Sequence, residues 1–363
     1  MRHPSNLLFA AGCILLTHCL VSQISEAIPH GQVLESLATQ VALSHYDDFT
    51  DTSEAMAQAC VALCGALDEG SLSAAREAWW AARQPWKRAE VVQFGPVVEY
   101  PLRLGPKLDD WPVNGEAVEE MVAGELPLDQ AGFDAMGSAT RGLPVVEHLL
   151  WADVGGDDAL VALSGSTRRC EALMGVTADV AENAARLRDA WDADWVLQLS
   201  DPEAVDGSLY DDTQAVVDEW VNRMAFTVEN IRLRKLGKPA GDDANGTMQP
   251  DIIESRLSGR SLDDARDALQ GVIDVWTGPP GEGQVGIREL VRVPGLVAQL
   301  DLEFTDAVER LDSLSDPFEA LLMSEPDTVA WAQEPLLQLQ VTIQGDLASA
   351  VGVTITFNDA DGD

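Results

Sequence analysis

Four side chains that could form a binding surface share one helical segment, residues 73–92. They are spaced i, i+4, i+7 and i+11 and therefore lie on one face of the helix: Trp79, Arg83, Trp86 and Glu90. Pro85 interrupts the same helix and predicts a kink. Two indoles, a guanidinium and a carboxylate on a bent helix are typical of a pocket wall. The same spacing also fits an aromatic core that closes over a buried Arg–Glu pair.

A further carboxylate, Glu147, lies in the mostly apolar segment 141–151. It comes one turn after Pro144, which is tolerated in the first turn of a helix because its missing N–H would have no partner there. In this position Glu147 either caps first-turn N–H groups, where the helix dipole favours a negative charge, or faces a cation such as Arg83 or Arg141. The position favours capping and leaves the ion pair open.

The sequence lacks the common catalytic motifs. It contains no H-E-x-x-H, P-loop, G-x-S-x-G or paired CxxC motif. Beyond residue 27 there are three histidines, His30, His45 and His148, so a zinc site built from several imidazoles is not expected. The ending 359–363 resembles the start of an EF-hand loop, but the later ligand positions are missing and no complete calcium site is expected.

Composition limits the possible partners. The chain has 363 residues, 23 of them basic and 61 acidic, for a formal net charge of −38. A nucleic-acid-binding protein needs a basic surface, so no nucleic-acid partner is expected for this acidic protein. With 46% hydrophobic residues over this length, the composition favours two domains with substantial cores.

The N-terminus predicts export. Arg2 precedes the apolar stretch 7–21, and Ser25 and Ala27 match the −3 and −1 positions of a signal-peptidase site, so residues 1–27 are interpreted as a signal peptide. No later stretch approaches the roughly 20 apolar residues that span a bilayer. We therefore expect a periplasmic or cell-envelope protein without a transmembrane segment. The alternative is a lipoprotein signal that ends at Cys13 and gives a lipid anchor.

Three cysteines remain after residue 27: Cys60, Cys64 and Cys170. An oxidising compartment favours one disulfide and one free thiol. Cys60 and Cys64 lie one turn apart on one helix and would distort it by pairing, so a bridge from one of them to Cys170 is predicted. Cys64 is favoured because it lies nearer the helix end. The alternative is three buried, unpaired thiols.

Hydrophobic periodicity predicts helices almost throughout the chain. Residues 28–70 are predicted to form two packed helices, and Ser261 with Asp264 is predicted to form a capping box. Each half supplies about four helices, so we expect an all-α protein of two four-helix bundles, with domains at 28–200 and 201–363. The helical segments of the second half are 213–236, 261–276, 290–311, 317–323 and 328–351.

Several of these segments resemble the imelysin family of exported bacterial proteins. The resemblance covers nearly the whole chain after residue 27. In the first half it is carried by Ala81 to Trp86, Glu90, Phe94-Gly95-Pro96, Asp110-Trp111-Pro112 and Arg141 to Trp151. In the second half it is carried by Lys238-Pro239, Glu254-Ser255, Ser258, Ser261 and the closing residues 347–363.

The resemblance implies two related four-helix bundles with the family's marked residues near the groove between them. It also implies a cell-envelope location and a link to iron uptake or regulation, while founding members of the family were described as insulin-cleaving metallopeptidases. The residues expected to line the groove are Arg83, Glu90, Arg141, Gly142, Glu147 and Glu254, with Trp79 and Trp86 as its walls.

One family motif is altered in this chain. The G-x-H-x-x-E motif behind the peptidase label here has Gly142, Pro144 and Glu147 in its three fixed positions. Proline offers no donor atom, so a metal at this position would keep one protein ligand, Glu147. His148 lies about 100° around the helix from Glu147 and is a poor replacement.

The sequence therefore predicts a non-catalytic protein that binds a small ligand or a metal species, such as iron or another divalent or trivalent cation. The first alternative is a metallopeptidase with Glu147 in its active site. The second is a surface or interaction protein whose family-like segments serve helix packing alone.

Overall fold

The computed structural model describes residues 29–151, 158–279, 281 and 285–356. The predicted signal peptide, the alternative anchor at Cys13 and the acidic ending 359–363 lie outside these residues. Within them, no helix is both long and apolar enough to cross a membrane.

Four helices form the first bundle: α1 (Ser44–Gly65), α2 (Glu69–Arg88), α3 (Leu143–Trp151) and α4 (Thr167–Ala190). Helix α1 packs against α2 and α4, and α3 closes the ring by packing against the same two helices. Large apolar side chains meet in the centre because each helix carries them at helical spacing. The fully buried members include Phe49, Trp79, Leu149 and Val176.

A second ring of four helices follows: α5 (Thr213–Asn230), α6 (Ser261–Thr277), α7 (Pro294–Asp312) and α8 (Pro326–Thr342). Helix α5 contacts α6 and α8, and α7 contacts the same two helices. This repeats the arrangement of the first bundle. The all-α class and the two four-helix bundles are confirmed.

Shorter elements connect these helices. The α-helical pieces are His30–Ser36, Gly105–Leu108, Gly115–Ala123, Gln130–Ala135, Ala159–Gly165, Val196–Ser200, Lys238–Ala240, Phe318–Ser324 and Ala348–Val351. Single 3₁₀ turns are Ala89–Val92, Gly95–Val97, Ser138–Thr140, Pro202–Ala204, Pro250–Ile252 and Ile287–Leu290. Four π-helical segments extend longer helices: Leu37–Leu43, Trp191–Trp195, Ile231–Gly237 and Ile343–Leu347.

The prediction of two packed helices within residues 28–70 is wrong. The π-helical segment Leu37–Leu43 joins His30–Ser36 directly to α1, so the chain stays helical from His30 to Gly65. A π turn takes in extra residues without breaking the helix. Apolar residues therefore remain buried on both sides of this segment, as Leu34 and Phe49 are.

The two bundles meet along α2 and α6. Gly271, in the middle of α6, allows the closest approach, because a Cβ atom there would lie 2.0 Å from the backbone oxygen of Arg88. Glycine in a helix interior costs about 1 kcal/mol relative to alanine. Here the missing side chain brings the backbones of the two bundles into contact.

A disulfide ties α1 to α4. It joins Cys64 to Cys170, whose Cα atoms lie 5.7 Å apart, and Cys60 is a free, buried thiol. This is the pairing that the sequence favours. It closes a loop with a sequence separation of 106.

We expect a chain that begins at Ile28 to show one thiol when it is denatured without reductant, and three after reduction. The remaining thiol belongs to Cys60, so Cys60→Ala should show none before reduction. Reduction should lower the free energy of unfolding by about 4 kcal/mol, because the open chain gains entropy when it unfolds. Three thiols in the unreduced protein would contradict the bridge.

Candidate functional site

Buried charged side chains gather where the two bundles meet. We call them the interbundle charge cluster, and its members are Arg83, Lys87, Glu90, Asp109, Lys235, Glu254 and Asp264. Three are cations and four are carboxylates. They come from both bundles and from the segment between α2 and α3, so the cluster joins distant parts of the chain.

Arg83, in α2, lies at the centre of the cluster with a side chain that is 1% exposed. Its Nη1 lies 2.7 Å from Asp109 Oδ1, its Nη2 lies 2.6 Å from Glu254 Oε1, and its Nε lies 3.0 Å from Asp264 Oδ2. Burial opposes the charged form of Arg83, but these three carboxylates raise its pKa above the ordinary value. A single guanidinium thus bonds carboxylates from three chain segments.

Two lysines complete the cationic side of the cluster. Lys87 Nζ lies 2.7 Å from Asp109 Oδ2 and 2.8 Å from Glu90 Oε1, and it also contacts Glu254. Lys235 Nζ lies 2.8 Å from the same Glu90 oxygen and contacts Glu254 as well. Glu90 and Glu254 are therefore shared between lysines from different bundles.

Glu254 bonds all three cations of the cluster. Burial would raise the pKa of its carboxyl group, but Lys235, Lys87 and Arg83 hold that pKa well below its usual range. Glu254 is therefore a carboxylate at neutral pH, and its charge is balanced by three cations of the protein.

The prediction of a capping box at Ser261 and Asp264 is wrong. The N-cap residue of α6 is Arg260, and no side chain caps the helix there. The carboxylate of Asp264 instead accepts hydrogen bonds from Arg83 and from the hydroxyl of Ser255. A buried guanidinium needs a carboxylate more than an N-terminal turn needs a cap, because unpaired buried charge is costlier than an unmade cap.

A cavity of about 280 Å³ borders the cluster on the side of α3. We call it the interbundle cavity. Its apolar walls are Trp79, Trp111, Pro112, Pro144, Ile253 and Leu257. Arg83 and Glu147 are among its polar lining groups.

Glu147 is the carboxyl group that projects from α3 into this lining. The residue is 4% exposed, and its Oε1 accepts a hydrogen bond of 2.8 Å from the backbone N–H of Ser258 in the other bundle. Neither the predicted first-turn cap nor the alternative ion pair with Arg83 or Arg141 is present. Among the described residues Glu147 takes part in no ion pair.

The isolation of Glu147 changes its acidity. Burial raises its pKa to about 7, against the hydrogen bonds from Ser258 and the field of Arg83, which lower it. Its carboxyl group is therefore near half-protonation at neutral pH. This is the opposite of Glu254, for which the surrounding cations outweigh burial.

A second cavity, of about 270 Å³, lies on the other side of the cluster. The cluster lines it with Lys87, Glu90, Asp109, Lys235 and Glu254, while Trp111 lines both cavities. The cluster and Trp111 therefore lie between the interbundle cavity and the second cavity.

Three of the residues predicted on the face of α2 lie near the cluster in different roles. Trp79 lines the interbundle cavity and donates its indole N–H to the backbone oxygen of Leu143. Trp86 donates its indole N–H to Asp109 Oδ2 at 2.7 Å and so supports the cluster from behind. Glu90 lies beyond the end of α2 in a 3₁₀ turn, where it bonds the two lysines and not the arginine.

Arg141 and Gly142 were expected in the groove, and the structure places both in the packing of the first bundle. Arg141 is buried, with its Nε 3.0 Å from Asp179 Oδ2 and its Nη1 2.8 Å from the Phe133 oxygen. Gly142 has a φ of +88°, and a Cβ atom there would lie 2.6 Å from the Leu108 oxygen. The positive φ and the close contact with the Leu108 backbone therefore favour glycine at this position of the motif.

Four members of the cluster were not predicted: Lys87, Asp109, Lys235 and Asp264. One signal was available for two of them. The chain has four lysines, Lys87, Lys107, Lys235 and Lys238, and half of them lie in this cluster. Because most basic residues of the chain are arginines, the four lysines were few enough to be considered one by one.

The residues around Glu147 do not fit a protein-bound metal. In the described part of the chain, no three His, Cys, Asp or Glu side chains are placed to hold one ion. Pro144 offers no donor, and His148 Nε2 lies 2.7 Å from Glu119 Oε1 and is occupied by that bond. The expectation of a metal ligand at Glu147 therefore finds no companion ligands here.

Replacing Arg83 tests the cluster. We expect Arg83→Ala to lower the free energy of unfolding by at least about 3 kcal/mol, because it removes the cation that bonds Asp109, Glu254 and Asp264 together and leaves two lysines for four buried carboxylates. Arg188→Ala is the matched control, since Arg188 also contacts three carboxylates but its side chain is 34% exposed. That change should cost less than about 1 kcal/mol. Equal losses for the two variants in urea denaturation would show that burial of the cluster is not decisive.

Replacing Glu147 tests its raised pKa. A carboxyl group that binds its proton more tightly in the folded protein stabilises the fold at low pH, and this contribution is lost as the pH rises from the unfolded value of about 4.5 to about 7. We therefore expect the free energy of unfolding of Glu147→Gln, relative to that of the wild type, to rise by up to about 3 kcal/mol when the pH is raised from about 4 to about 8. Denaturation at both pH values measures the difference.

The exposed Glu116 provides the control, because Glu116→Gln should leave the difference between the two pH values unchanged. A Glu147→Gln variant that keeps the same offset from the wild type at both pH values would contradict the raised pKa.

Comparison with known proteins agrees with this architecture. The family model described as imelysin matches residues 42–343. A relative from Synechococcus elongatus, named iron-regulated protein A, is 24% identical over 319 residues, which cover 84% of this chain and 82% of the relative.

Two solved structures share the fold. One is an iron-regulated protein A precursor from Parabacteroides distasonis, with 20% identity, and the other is an imelysin-like protein from Psychrobacter arcticum, with 18% identity. Each superposes with a TM-score of 0.74 and covers 90% of this chain and 97% of its own. Since the family model spans most of the sequence, this chain belongs to the imelysin family.

Proposed function

We propose that this protein is an exported, non-catalytic imelysin of the cell envelope that binds a small molecule in the interbundle cavity, in a role linked to iron uptake or regulation. The signal-like residues 1–27 support export. The name of the Synechococcus relative supports the link to iron. A lipid anchor at Cys13 remains the alternative to a protein without an anchor.

The observation that carries the proposal is the environment of Glu147. Its carboxyl group is buried at a cavity between the bundles, with Pro144 in the same lining and no companion metal ligands among the described residues. A hydrolytic metal centre needs several protein ligands, an open coordination position and a base. A cavity with apolar walls and the buried carboxyl group of Glu147 is better suited to holding a small molecule.

One observation favours the peptidase alternative. A carboxyl group with a pKa of about 7 is well matched to a general base at neutral pH. In that function Glu147 would take a proton from a water molecule that attacks the peptide bond. A metallopeptidase needs a metal ligand at residue 144, whereas a small-molecule binding protein does not.

Restoring the family's histidine separates the two functions. Residues 144 and 147 line one cavity, so Pro144→His would place an imidazole beside the carboxylate. We expect this variant to bind Zn²⁺ at least about tenfold more tightly than the wild type, and we expect no chelator-sensitive cleavage of an unfolded protein substrate by the wild type. Calorimetry and a gel-based cleavage assay measure the two quantities.

The control is the double variant Pro144→His with Glu147→Gln, which should lose the added zinc affinity. Cleavage by the wild type that stops both with a chelator and with Glu147→Gln would overturn the non-catalytic proposal.

A further inference from the structure

We propose that the occupant of the interbundle cavity is a small organic cation, an ammonium or guanidinium compound, which forms an ion pair with Glu147. This inference rests on the proposed binding function and adds the chemical class of the ligand.

Glu147 has no cationic partner among the described residues. Glu147 is buried and accepts a hydrogen bond from Ser258, yet no basic side chain of the described residues forms an ion pair with it. Buried carboxylates normally have a cationic partner or lose their charge, because desolvation is costly. A cation supplied by a ligand would provide the partner that the protein does not.

The two arginines that line the cavity already form ion pairs with carboxylates of the protein. Arg83 bonds three carboxylates of the cluster. Arg256 lies with its Nη1 2.7 Å from Asp251 Oδ1 and its Nε 2.8 Å from Glu319 Oε2. An anionic ligand would compete with these carboxylates for the arginines, whereas a cationic ligand would leave the bonds intact.

The residues around Glu147 and the net charge of the protein also favour a cation. Trp111 is part of the cavity lining, and the face of an indole attracts a cation that lies over it. Arg83 from α2 and Asp264 from α6 are the charged groups that act on Glu147 from neighbouring elements, and their effects are opposite in sign. The net charge of −38 adds a long-range attraction for cations.

The cavity volume of about 280 Å³ favours a small ligand. It lies at the small end of ligand-binding cavities, which begin at about 300 Å³. A compact molecule with one ring or a short chain therefore suits the cavity.

Three probes of matched size test the inference: benzylammonium, benzyl alcohol and benzoate. Calorimetry with the full chain, at about pH 8 so that Glu147 is mostly ionised, measures their affinities. We expect the wild type to bind benzylammonium at least about tenfold more tightly than the other two, since a desolvated ion pair adds to the ring contacts. The preference should fall to within about twofold in Glu147→Gln and persist in Glu116→Gln.

The outcomes separate the two proposals. Equal affinity for the three probes, or a preference for benzoate, would overturn the cationic class and leave the cavity as a binding site. A preference for benzylammonium that survives Glu147→Gln would also overturn it. If none of the probes binds, the proposed binding function fails together with this inference.

Discussion

Three cations and four carboxylates are removed from water where the two bundles meet, and the rest of the site depends on their mutual neutralisation. Arg83 alone bonds carboxylates from three parts of the chain, so its position fixes how α2 lies against α6. Removing Arg83 would leave the two lysines of the cluster facing four buried carboxylates, and such an imbalance of buried charge is far costlier than losing an exposed pair. The close backbone contact between Gly271 and Arg88 lies in the same interface.

Glu147 stands in contrast to this cluster. Glu254 and Glu147 are both buried carboxyl groups near Arg83, but Glu254 bonds three cations and Glu147 bonds a backbone N–H. Their pKa values therefore move in opposite directions. In a protein that pairs its other central charges so completely, an unpaired carboxyl group beside a cavity marks the position where an external partner is expected.

Much of the fold could be predicted from the sequence, because helical periodicity is a local property. The bundles and the buried face of α2 follow from the spacing of residues such as Trp79 and Arg83. The continuity of residues 30–65 could not be predicted, since a π turn has no distinct residue pattern.

The candidate site was less predictable than the fold. Arg83 and Asp264 are 181 residues apart, and nothing local signals that they meet. Arg141 was misplaced for the same reason, because its partner Asp179 lies on another helix and takes it away from the groove. The motif substitution at Pro144 was visible in the sequence, but the cavity that Pro144 lines also needs residues from the second half of the chain, such as Leu257, which no local pattern brings to it.

A crystal structure of the protein grown with benzylammonium at about pH 8, where Glu147 is mostly ionised, would show what occupies the interbundle cavity. We expect the ammonium group within hydrogen-bonding distance of the Glu147 carboxylate, with the ring against the cavity wall that contains Trp111 and with the bonds of Arg83 unchanged. An empty cavity in which a basic side chain of the protein itself pairs with Glu147 would rule out the proposed cation site.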